Sequence, residues 1–303
     1  MQDVLIVGGG TAGLTAAIYA RRAGLSCTVF EGGTPGGQIV TSPEVDNYPA
    51  MPKVSGFDYA MALLKQVQEL DAEIIYESVI SAELGGKTKR LCTANGEYEG
   101  KSVIIANGVL RRKLGCKGES EFEGKGVSYC ATCDGAFFRE KAVAVVGGGN
   151  TAFEDAEYLA GICSKVYLIH RSDKFRASDA LKKSVLENKN VTVLTNSEVS
   201  EISGYRSVNS LTVRSRANGS EAKIAVSAVF VAVGMVPDNS IFSATVKLDG
   251  QGYIIAGEDC LTETEGVFVA GDTREKELRQ LVTAASDGAV AAMGAFKYIK
   301  SNL

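Results

Sequence analysis

Apolar runs that are followed by a glycine-rich turn and an amphipathic segment occur twice along the chain. In each case the helical pattern after the turn leads to a further apolar run. Short apolar runs are typical of buried parallel strands, whereas a period of 3.6 residues is typical of a helix. The order strand, helix, strand therefore predicts two α/β units of the same type. The strand runs lie at 4–7, 27–30, 141–146 and 166–169, and the helical patterns at 14–23 and 152–161.

The C-terminal part of the sequence predicts a return to the first unit. An apolar run at 265–270 ends in Gly271-Asp272, and a long helical pattern follows at 281–299. A carboxylate at the end of a strand is placed to bind a ribityl hydroxyl, and Asp272 could equally cap a helix. The tail is therefore predicted to complete the first unit.

The domain organisation that follows is an insertion. Apolar strands that end in glycine turns mark exits near residues 112 and 240. We expect two Rossmann-like, three-layer α/β domains: residues 1–112 with 241–303, and an inserted domain of residues 113–240. Inside the inserted domain, alternation over 191–232 predicts β-hairpins with a turn at 217–219.

The first glycine-rich turn matches G-x-G-x-x-G. Gly8 permits a tight turn, Gly10 lets the backbone approach a pyrophosphate, and Gly13 lets the helix pack closely on the strand. The N–H groups of the following helix would face the phosphates. Glu31, at the end of the second strand, is placed to accept hydrogen bonds from a ribose. This order of elements predicts a dinucleotide site.

The second turn is the G-x-G-x-x-A variant of the same motif, followed by a cationic segment instead of an acid. A cationic strand end suits a 2′-phosphate, which predicts NADPH in preference to NADH. A solvated basic turn is the alternative reading of the same residues. The loop residues are Gly147, Gly149, Asn150, Thr151 and Ala152, and the cationic ones are His170, Arg171 and Arg176.

Two cysteines three positions apart stand just upstream of that second turn. Cys130 and Cys133 can close into a small disulfide that exchanges with another dithiol. Asp134 is adjacent and can move the proton as a general acid or base. A zinc site would need a second Cys pair or a Cys/His pair at suitable spacing, and the sequence has neither. We therefore predict a redox dithiol and no metal.

The composition limits the kinds of partner that the protein is expected to bind. The 303 residues carry a net charge of −4, without a basic cluster for nucleic acid or a polybasic membrane anchor. No apolar run approaches the ~20 residues of a spanning helix, and no signal-peptide pattern is present. We expect a cytoplasmic protein that binds neither nucleic acid nor a membrane.

Taken together, these motifs resemble bacterial-type, low-molecular-weight thioredoxin reductases over nearly the whole length. The resemblance implies FAD and NADPH as cofactors, thioredoxin as the protein substrate, a homodimer, and rotation of the NADPH domain against the FAD domain. It also implies that Cys130 attacks thioredoxin and that Cys133 faces the flavin. FAD-binding positions in that family match the first loop, Glu31, Gly37, Gln38, Asn47, Asp272, Arg279, Gln280 and Leu281. NADPH-binding positions match Gly147, Gly149, Ala152, Arg171 and Arg176.

Two departures from the family pattern stand out. The usual Ala-Thr-Gly turn reads Ala106-Asn107-Gly108, and one phosphate-facing arginine is replaced by Ser172. A serine hydroxyl brings no charge and no bidentate fork. NADH or a ferredoxin-type protein therefore remains an alternative electron donor. A non-enzymatic flavin redox sensor is a further alternative, although such a sensor would not need an exchangeable cysteine pair beside an acid.

Overall fold

A computed structural model describes residues 1–42 and 44–302, and these form two compact units. Unit 1 contains Met1–Leu110 together with the chain from Val236 onward, and unit 2 is the continuous segment Arg111–Met235.

Both units contain strands and helices. The strands are β1 (Gln2–Val7), β2 (Cys27–Phe30), β3 (Glu73–Ile75), β4 (Ser81–Glu83), β5 (Lys89–Cys92), β6 (Glu97–Ile105), β7 (Leu110–Arg111), β8 (Val127–Ser128), β9 (Ala142–Val146), β10 (Lys165–Ile169), β11 (Val191–Leu194), β12 (Ser197–Gly204), β13 (Val208–Ser215), β14 (Glu221–Ala225), β15 (Ala228–Val231), β16 (Met235–Val236) and β17 (Val267–Val269). The helices are α1 (Thr11–Arg22), α2 (Gly56–Glu69), α3 (Ala131–Asp134), α4 (Asn150–Ala160), α5 (Asp179–Leu186) and α6 (Leu281–Ser301). Short 3₁₀ helices lie at Gly37–Thr41, Gly135–Phe138, Ser240–Phe242 and Gly271–Thr273.

The sheet of unit 1 is built around β1. Its order is β3-β2-β1-β6-β5-β4, and β17 pairs in parallel with β6. Val4 and Ile6 contact the core beneath α1 and α6, whereas Leu5 and Val7 contact the core on the opposite face. Both faces of β1 are therefore buried, which explains its uninterrupted apolar run. The alternation of side chains places layers on both sides of the sheet.

Unit 2 contains a five-stranded parallel sheet and a three-stranded antiparallel sheet. The parallel order is β11-β10-β9-β15-β8, and the antiparallel order is β12-β13-β14. The prediction of hairpins over 191–232 is correct for β12 to β14 and wrong at both ends. β11 pairs in parallel with β10, and β15 pairs in parallel with β9. Short apolar strands cannot be assigned to a hairpin or to a parallel sheet by local pattern alone.

Within the described residues, none of the helices combines the length and the hydrophobicity that crossing a membrane would require.

Candidate active site

The two cysteines of the C-x-x-C motif form a disulfide in unit 2. Their Cα atoms lie 5.3 Å apart, a separation that is ordinary for a disulfide. Cys130 directly precedes the short helix α3, and both sulfur-bearing residues are partly exposed. The hydroxyl of Thr132 lies 3.4 Å from Cys130 Sγ. The pair is thus placed where another disulfide could reach it.

The other five described cysteines are free thiols, and burial suppresses the reactivity of three of them. Burial raises the pKa of Cys27 to about 11 and that of Cys260 to about 12. Burial also raises the pKa of Cys116 to about 11. A thiol that stays protonated at neutral pH is a poor nucleophile. These three buried thiols are therefore not expected to compete with Cys130 and Cys133 in disulfide exchange.

Asp134 lies beside the disulfide and is largely buried. Burial raises the pKa of this carboxyl, while a hydrogen bond from Ser128 and the charge of Arg111 act in the opposite direction. Its Oδ1 atom is buried and has no hydrogen-bond partner within the part of the chain that the structure describes. A carboxyl whose pKa is raised holds its proton more tightly than an ordinary aspartic acid and can exchange that proton with a thiolate.

Ser128, which the sequence did not indicate, connects the acid to the dithiol. Its Oγ accepts a hydrogen bond from the Cys130 N–H at 3.1 Å and lies 3.3 Å from the Cys130 carbonyl oxygen. Since Ser128 also bonds Asp134, one buried hydroxyl at the end of β8 holds both groups.

The second nucleotide loop lies between β9 and α4, as predicted. A Cβ atom added at Gly147 would lie 2.3 Å from the Ala232 carbonyl oxygen, so protein packing alone requires glycine there. Gly149 differs, because a Cβ atom would meet no described atom within 4 Å. No side chain caps α4, which leaves its first N–H groups available to a phosphate. Glycine at a position with free space fits a ligand that approaches the backbone closely.

The other residues of this loop divide into structural and accessible ones. The Asn150 Oδ1 atom accepts a hydrogen bond from the Ser178 N–H at 2.9 Å, so this side chain holds the neighbouring segment. Thr151 is exposed and Ala152 is buried in the core.

The cationic segment after β10 folds back onto the loop. The Arg176 N–H donates to the Gly148 carbonyl oxygen at 2.8 Å, and His170 lies directly against Gly148. Burial lowers the pKa of His170, and the charges of Arg171 and Arg176 lower it further. The imidazole is thus neutral near pH 7, and the positive charge comes from Arg171 and Arg176, whose side chains are exposed.

Ser172 does not replace the missing arginine, whereas Arg216 lies close by. The Ser172 hydroxyl donates to the Lys174 carbonyl oxygen at 3.1 Å and accepts from the Lys174 N–H at 3.2 Å. Arg216, at the end of β13, places Nη1 3.4 Å from the carbonyl oxygen of Arg171. A third guanidinium thus comes from the hairpin of β13 and β14, 45 positions away in the sequence. No local motif could have indicated it.

The glycines of the first nucleotide loop, in unit 1, are also of two kinds. Some are required by the protein's own backbone or packing, and one lies next to free space. Gly8 has a φ of +104°, a conformation that favours glycine. A Cβ atom at Gly13 would lie 1.8 Å from the Gly8 carbonyl oxygen, whereas one at Gly10 would meet no described atom nearer than 4.0 Å. Helix α1 begins without a side-chain cap or an acidic residue in its first turn. These features fit a bound pyrophosphate at Gly10.

Glu31 is held in place by the loops around it. Its Oε2 accepts from the Gly9 N–H and its Oε1 from the Gly33 N–H, both at 2.7 Å. Each carboxylate oxygen has a second lone pair, so the predicted contact with a ribose hydroxyl remains chemically possible.

The remaining predicted FAD-binding residues gather around the same loop and the start of α6. The Gly36 N–H donates to the Gly9 carbonyl oxygen at 2.7 Å, and Gly37 lies against Gly10. Gln38 Nε2 donates to the Val109 carbonyl oxygen, and Asn47 Nδ2 donates to Gln280 Oε1 at 3.1 Å. Arg279 Nε donates to the Asp272 carbonyl oxygen at 3.2 Å. Leu281 is the first residue of α6.

A buried ionic cluster lies beneath this segment of unit 1. Asp287 on α6 accepts hydrogen bonds from Arg274 at 3.1 and 3.2 Å, from Lys276 at 2.8 Å, and from the Gly271 N–H at 3.0 Å. Because Asp287 is only 4% exposed, these contacts fix the loop that carries Asp272 and Arg279.

Replacement of Asp287 by alanine should therefore destabilise unit 1. Two cations would lose their buried partner, and removing one member of a buried pair costs about 3 kcal/mol or more. Thermal unfolding followed by flavin fluorescence should show earlier release of flavin. The control is Glu263→Ala, since Glu263 is exposed. Equal stability of the two variants would contradict this role.

Two dinucleotide loops and an exchangeable disulfide define a class of oxidoreductase that couples a dinucleotide to a dithiol. The chain belongs to the pyridine nucleotide-disulphide oxidoreductase family, whose model matches residues 2–288. This confirms the resemblance inferred from the motifs and the two Rossmann-like domains.

Similarity to known proteins extends over nearly the whole chain. Thioredoxin reductase from Listeria innocua is 41% identical over 99% of this chain and 94% of its own length. Thioredoxin reductase from Treponema pallidum is 42% identical over 98% of this chain and 97% of its own length. The crystal structure of thioredoxin reductase from Streptococcus pyogenes superimposes with a TM-score of 0.95 at 40% identity, covering 99% of both chains.

Proposed function

We propose that this protein is a thioredoxin-disulfide reductase that uses FAD and NADPH. The observation that carries the proposal is the Cys130–Cys133 disulfide with Asp134 beside it, in a chain with two dinucleotide loops. The full-length similarity to thioredoxin reductases supports the choice of thioredoxin as substrate.

The chemistry of the dithiol follows from thiol–disulfide exchange. The Cys130 thiolate attacks one sulfur of the substrate disulfide, and the other substrate sulfur leaves as a thiolate and takes a proton. The Cys133 thiolate then attacks Cys130 Sγ, which restores the internal disulfide and releases the second substrate sulfur. The substrate gains two electrons and the pair loses two. FAD, when bound, supplies the carrier that passes two electrons from the nicotinamide to the disulfide.

Asp134 is the proposed proton donor and acceptor for these steps. Burial raises the pKa of Asp134, which favours the protonated form relative to an ordinary aspartate. The rotation of one domain against the other stays a prediction, to be tested by cross-linking the units and following each half-reaction separately.

For the nicotinamide substrate, we propose a preference for NADPH that rests on three arginines. Arg171, Arg176 and Arg216 supply the positive charge, and the neutral His170 and the locally bonded Ser172 supply none. NADH is the second candidate, supported by the serine at position 172, which leaves this segment one arginine short of the family pattern.

The donor is tested by comparing NADPH with NADH in the wild type and in an Arg171→Ala/Arg176→Ala variant. We expect KM for NADPH to rise about tenfold in the variant, because exposed charge-assisted contacts lie at the weak end of their range, while KM for NADH changes little. Arg206→Ala, another exposed arginine of unit 2, is the control. A wild type that favours NADH, or a variant that treats both nucleotides as the wild type does, would refute the NADPH proposal.

A further inference from the structure

The buried ionic cluster beneath the loop of residues 271–280 contains more positive than negative charge. Asp287 is its buried anion, and the partners of Asp287 are Arg274 at 3.1 Å and Lys276 at 2.8 Å. The three side chains are only 3% exposed for Arg274 and 6% exposed for Lys276 and Asp287. Glu258 also pairs with Arg274, but its side chain is 93% exposed, so water screens its charge. The buried part of the cluster therefore consists of two cations and one anion.

Hydrogen bonds hold these charges in place. Arg274 donates to Asp287 through both Nε and Nη2. Its Nη1 donates to the carbonyl oxygens of Ala256 and Gly257 at 3.2 and 3.1 Å. The Lys276 ammonium donates to Asp287 Oδ2, a contact that favours its charged form. Buried charges of this kind are screened much less than surface charges, so their excess acts over a longer distance.

The cluster supports the segment that carries predicted flavin-binding residues. The Gly271 N–H, one position before Asp272, donates to Asp287 Oδ2 at 3.0 Å. Arg279 Nη2 donates to the Arg274 carbonyl oxygen at 3.4 Å. Asp287 lies in the second turn of α6, about 9 Å along the helix axis from the first residue of that helix. The excess charge is thus about 10 Å from the start of α6, where the cofactor is predicted to bind.

Reduction changes the charge of a flavin. At neutral pH two electrons and one proton enter the ring system, so the reduced ring carries one negative charge more than the oxidised ring. A positive charge nearby lowers the free energy of the reduced form relative to the oxidised form and so raises the reduction potential. A unit charge about 10 Å away, at an effective dielectric constant of about 20, changes such an equilibrium by roughly tenfold.

We propose that the buried excess of positive charge formed by Arg274, Lys276 and Asp287 raises the reduction potential of the bound flavin. The inference rests on the proposed function, because it assumes that FAD is held at the first nucleotide loop and at the start of α6. The effect depends on Lys276, since the charges of Arg274 and Asp287 alone would balance. Lys276 is therefore a residue that tunes the flavin through its charge.

The test measures the reduction potential of the flavin in the full-length, flavin-loaded protein, by anaerobic titration against a reference dye. In Lys276→Gln the ratio of reduced to oxidised flavin at a fixed potential should fall about tenfold, which is about 30 mV for a two-electron couple. Lys276→Arg keeps the charge and should keep the wild-type potential. Lys297→Gln makes the same exchange at an exposed position of α6 and is the matched control.

Asp287→Asn changes the charge in the opposite direction. The amide keeps one acceptor oxygen for Arg274 but removes the anion, so the potential of the flavin should rise. A loosened site that admits water around the flavin would instead shift the potentials of Lys276→Gln and Asp287→Asn in the same direction. The opposite signs therefore separate an effect of charge from an effect of structure.

Several outcomes would overturn the inference without affecting the proposed function. They are an unchanged potential in Lys276→Gln, an equal shift in Lys276→Arg, and shifts of the same sign in Lys276→Gln and Asp287→Asn. A wild-type potential that changes by about 60 mV per pH unit near pH 7 would also overturn it, because two protons for each electron pair leave the reduced ring without the added charge. A purified protein that holds no flavin under any condition would instead refute the proposed function itself.

Discussion

Replacement of Cys133 by serine is expected to abolish thioredoxin reduction while the protein keeps its bound flavin. Cys130 and Cys133 form the disulfide of unit 2, and a lone thiol cannot accept the electron pair as a disulfide does. The fold should survive, because both residues are partly exposed and neither belongs to a core cluster. The measurement is NADPH oxidation with thioredoxin, together with anaerobic reduction of the flavin by NADPH, which should persist.

The same variant tests which sulfur attacks the substrate. Cys133→Ser retains Cys130 and should form a stable mixed disulfide with oxidised thioredoxin, because the resolving thiol is missing. Cys130→Ser should form much less. Cys92→Ser, which changes a free thiol of unit 1, should leave turnover unchanged. Steady thioredoxin turnover by Cys133→Ser would contradict the assignment of Cys130 and Cys133 as the dithiol that reduces thioredoxin.

Asp134→Asn is expected to lower the rate of thioredoxin reduction by about 100-fold, the lower end of what a positioned acid contributes. The asparagine keeps the size of the side chain but cannot transfer a proton. Because burial raises the pKa of Asp134, the wild-type acid loses its proton only above the usual range of an aspartate. The wild-type rate should therefore fall as pH rises through that raised pKa. The rate of the variant should not show this fall.

The control for this variant is Glu187→Gln, which removes an exposed carboxylate of the same unit. Stability provides a second check with a defined sign. A carboxyl whose pKa is raised by folding destabilises the folded state as pH rises through that pKa, so the wild type should lose stability over that range and Asp134→Asn should not. An unaltered rate and pH profile in a correctly folded variant would remove Asp134 from the mechanism.

The parts of the fold that the sequence predicts are those governed by local chemistry. Helices α1 and α4 begin within a few residues of the predicted positions, because a strand, a glycine turn and an amphipathic run specify each other over short distances. The error at 191–232 arose where partners are distant. The strand β15 has an apolar pattern that suits a hairpin, yet it pairs with β9, more than 80 positions earlier.

The same distinction applies to the sites. The loops and the cysteine pair were predicted because their spacing reflects direct chemical requirements. Arg216 and Asp287 were not, since each reaches its place only through tertiary packing. Arg216, which follows β13, contacts the carbonyl oxygen of Arg171, which follows β10, and Asp287 on α6 pairs with Arg274. A charged residue at such a position looks like any solvated surface residue until the fold is known.

The divided sequence of unit 1 has a consequence for synthesis on the ribosome. Strand β17 pairs with β6, and α6 packs against α1, so the core of unit 1 needs the last segment of the chain. Unit 2 is continuous and can complete its core as soon as residue 235 has emerged. Domains generally fold as units during translation. The N-terminal strands of unit 1 therefore keep an unpaired sheet edge until β17 has been synthesised, and unit 2 folds before them. A ribosome stalled soon after the synthesis of unit 2 should therefore carry a nascent chain in which unit 2 resists protease and the N-terminal segment of unit 1 is cleaved.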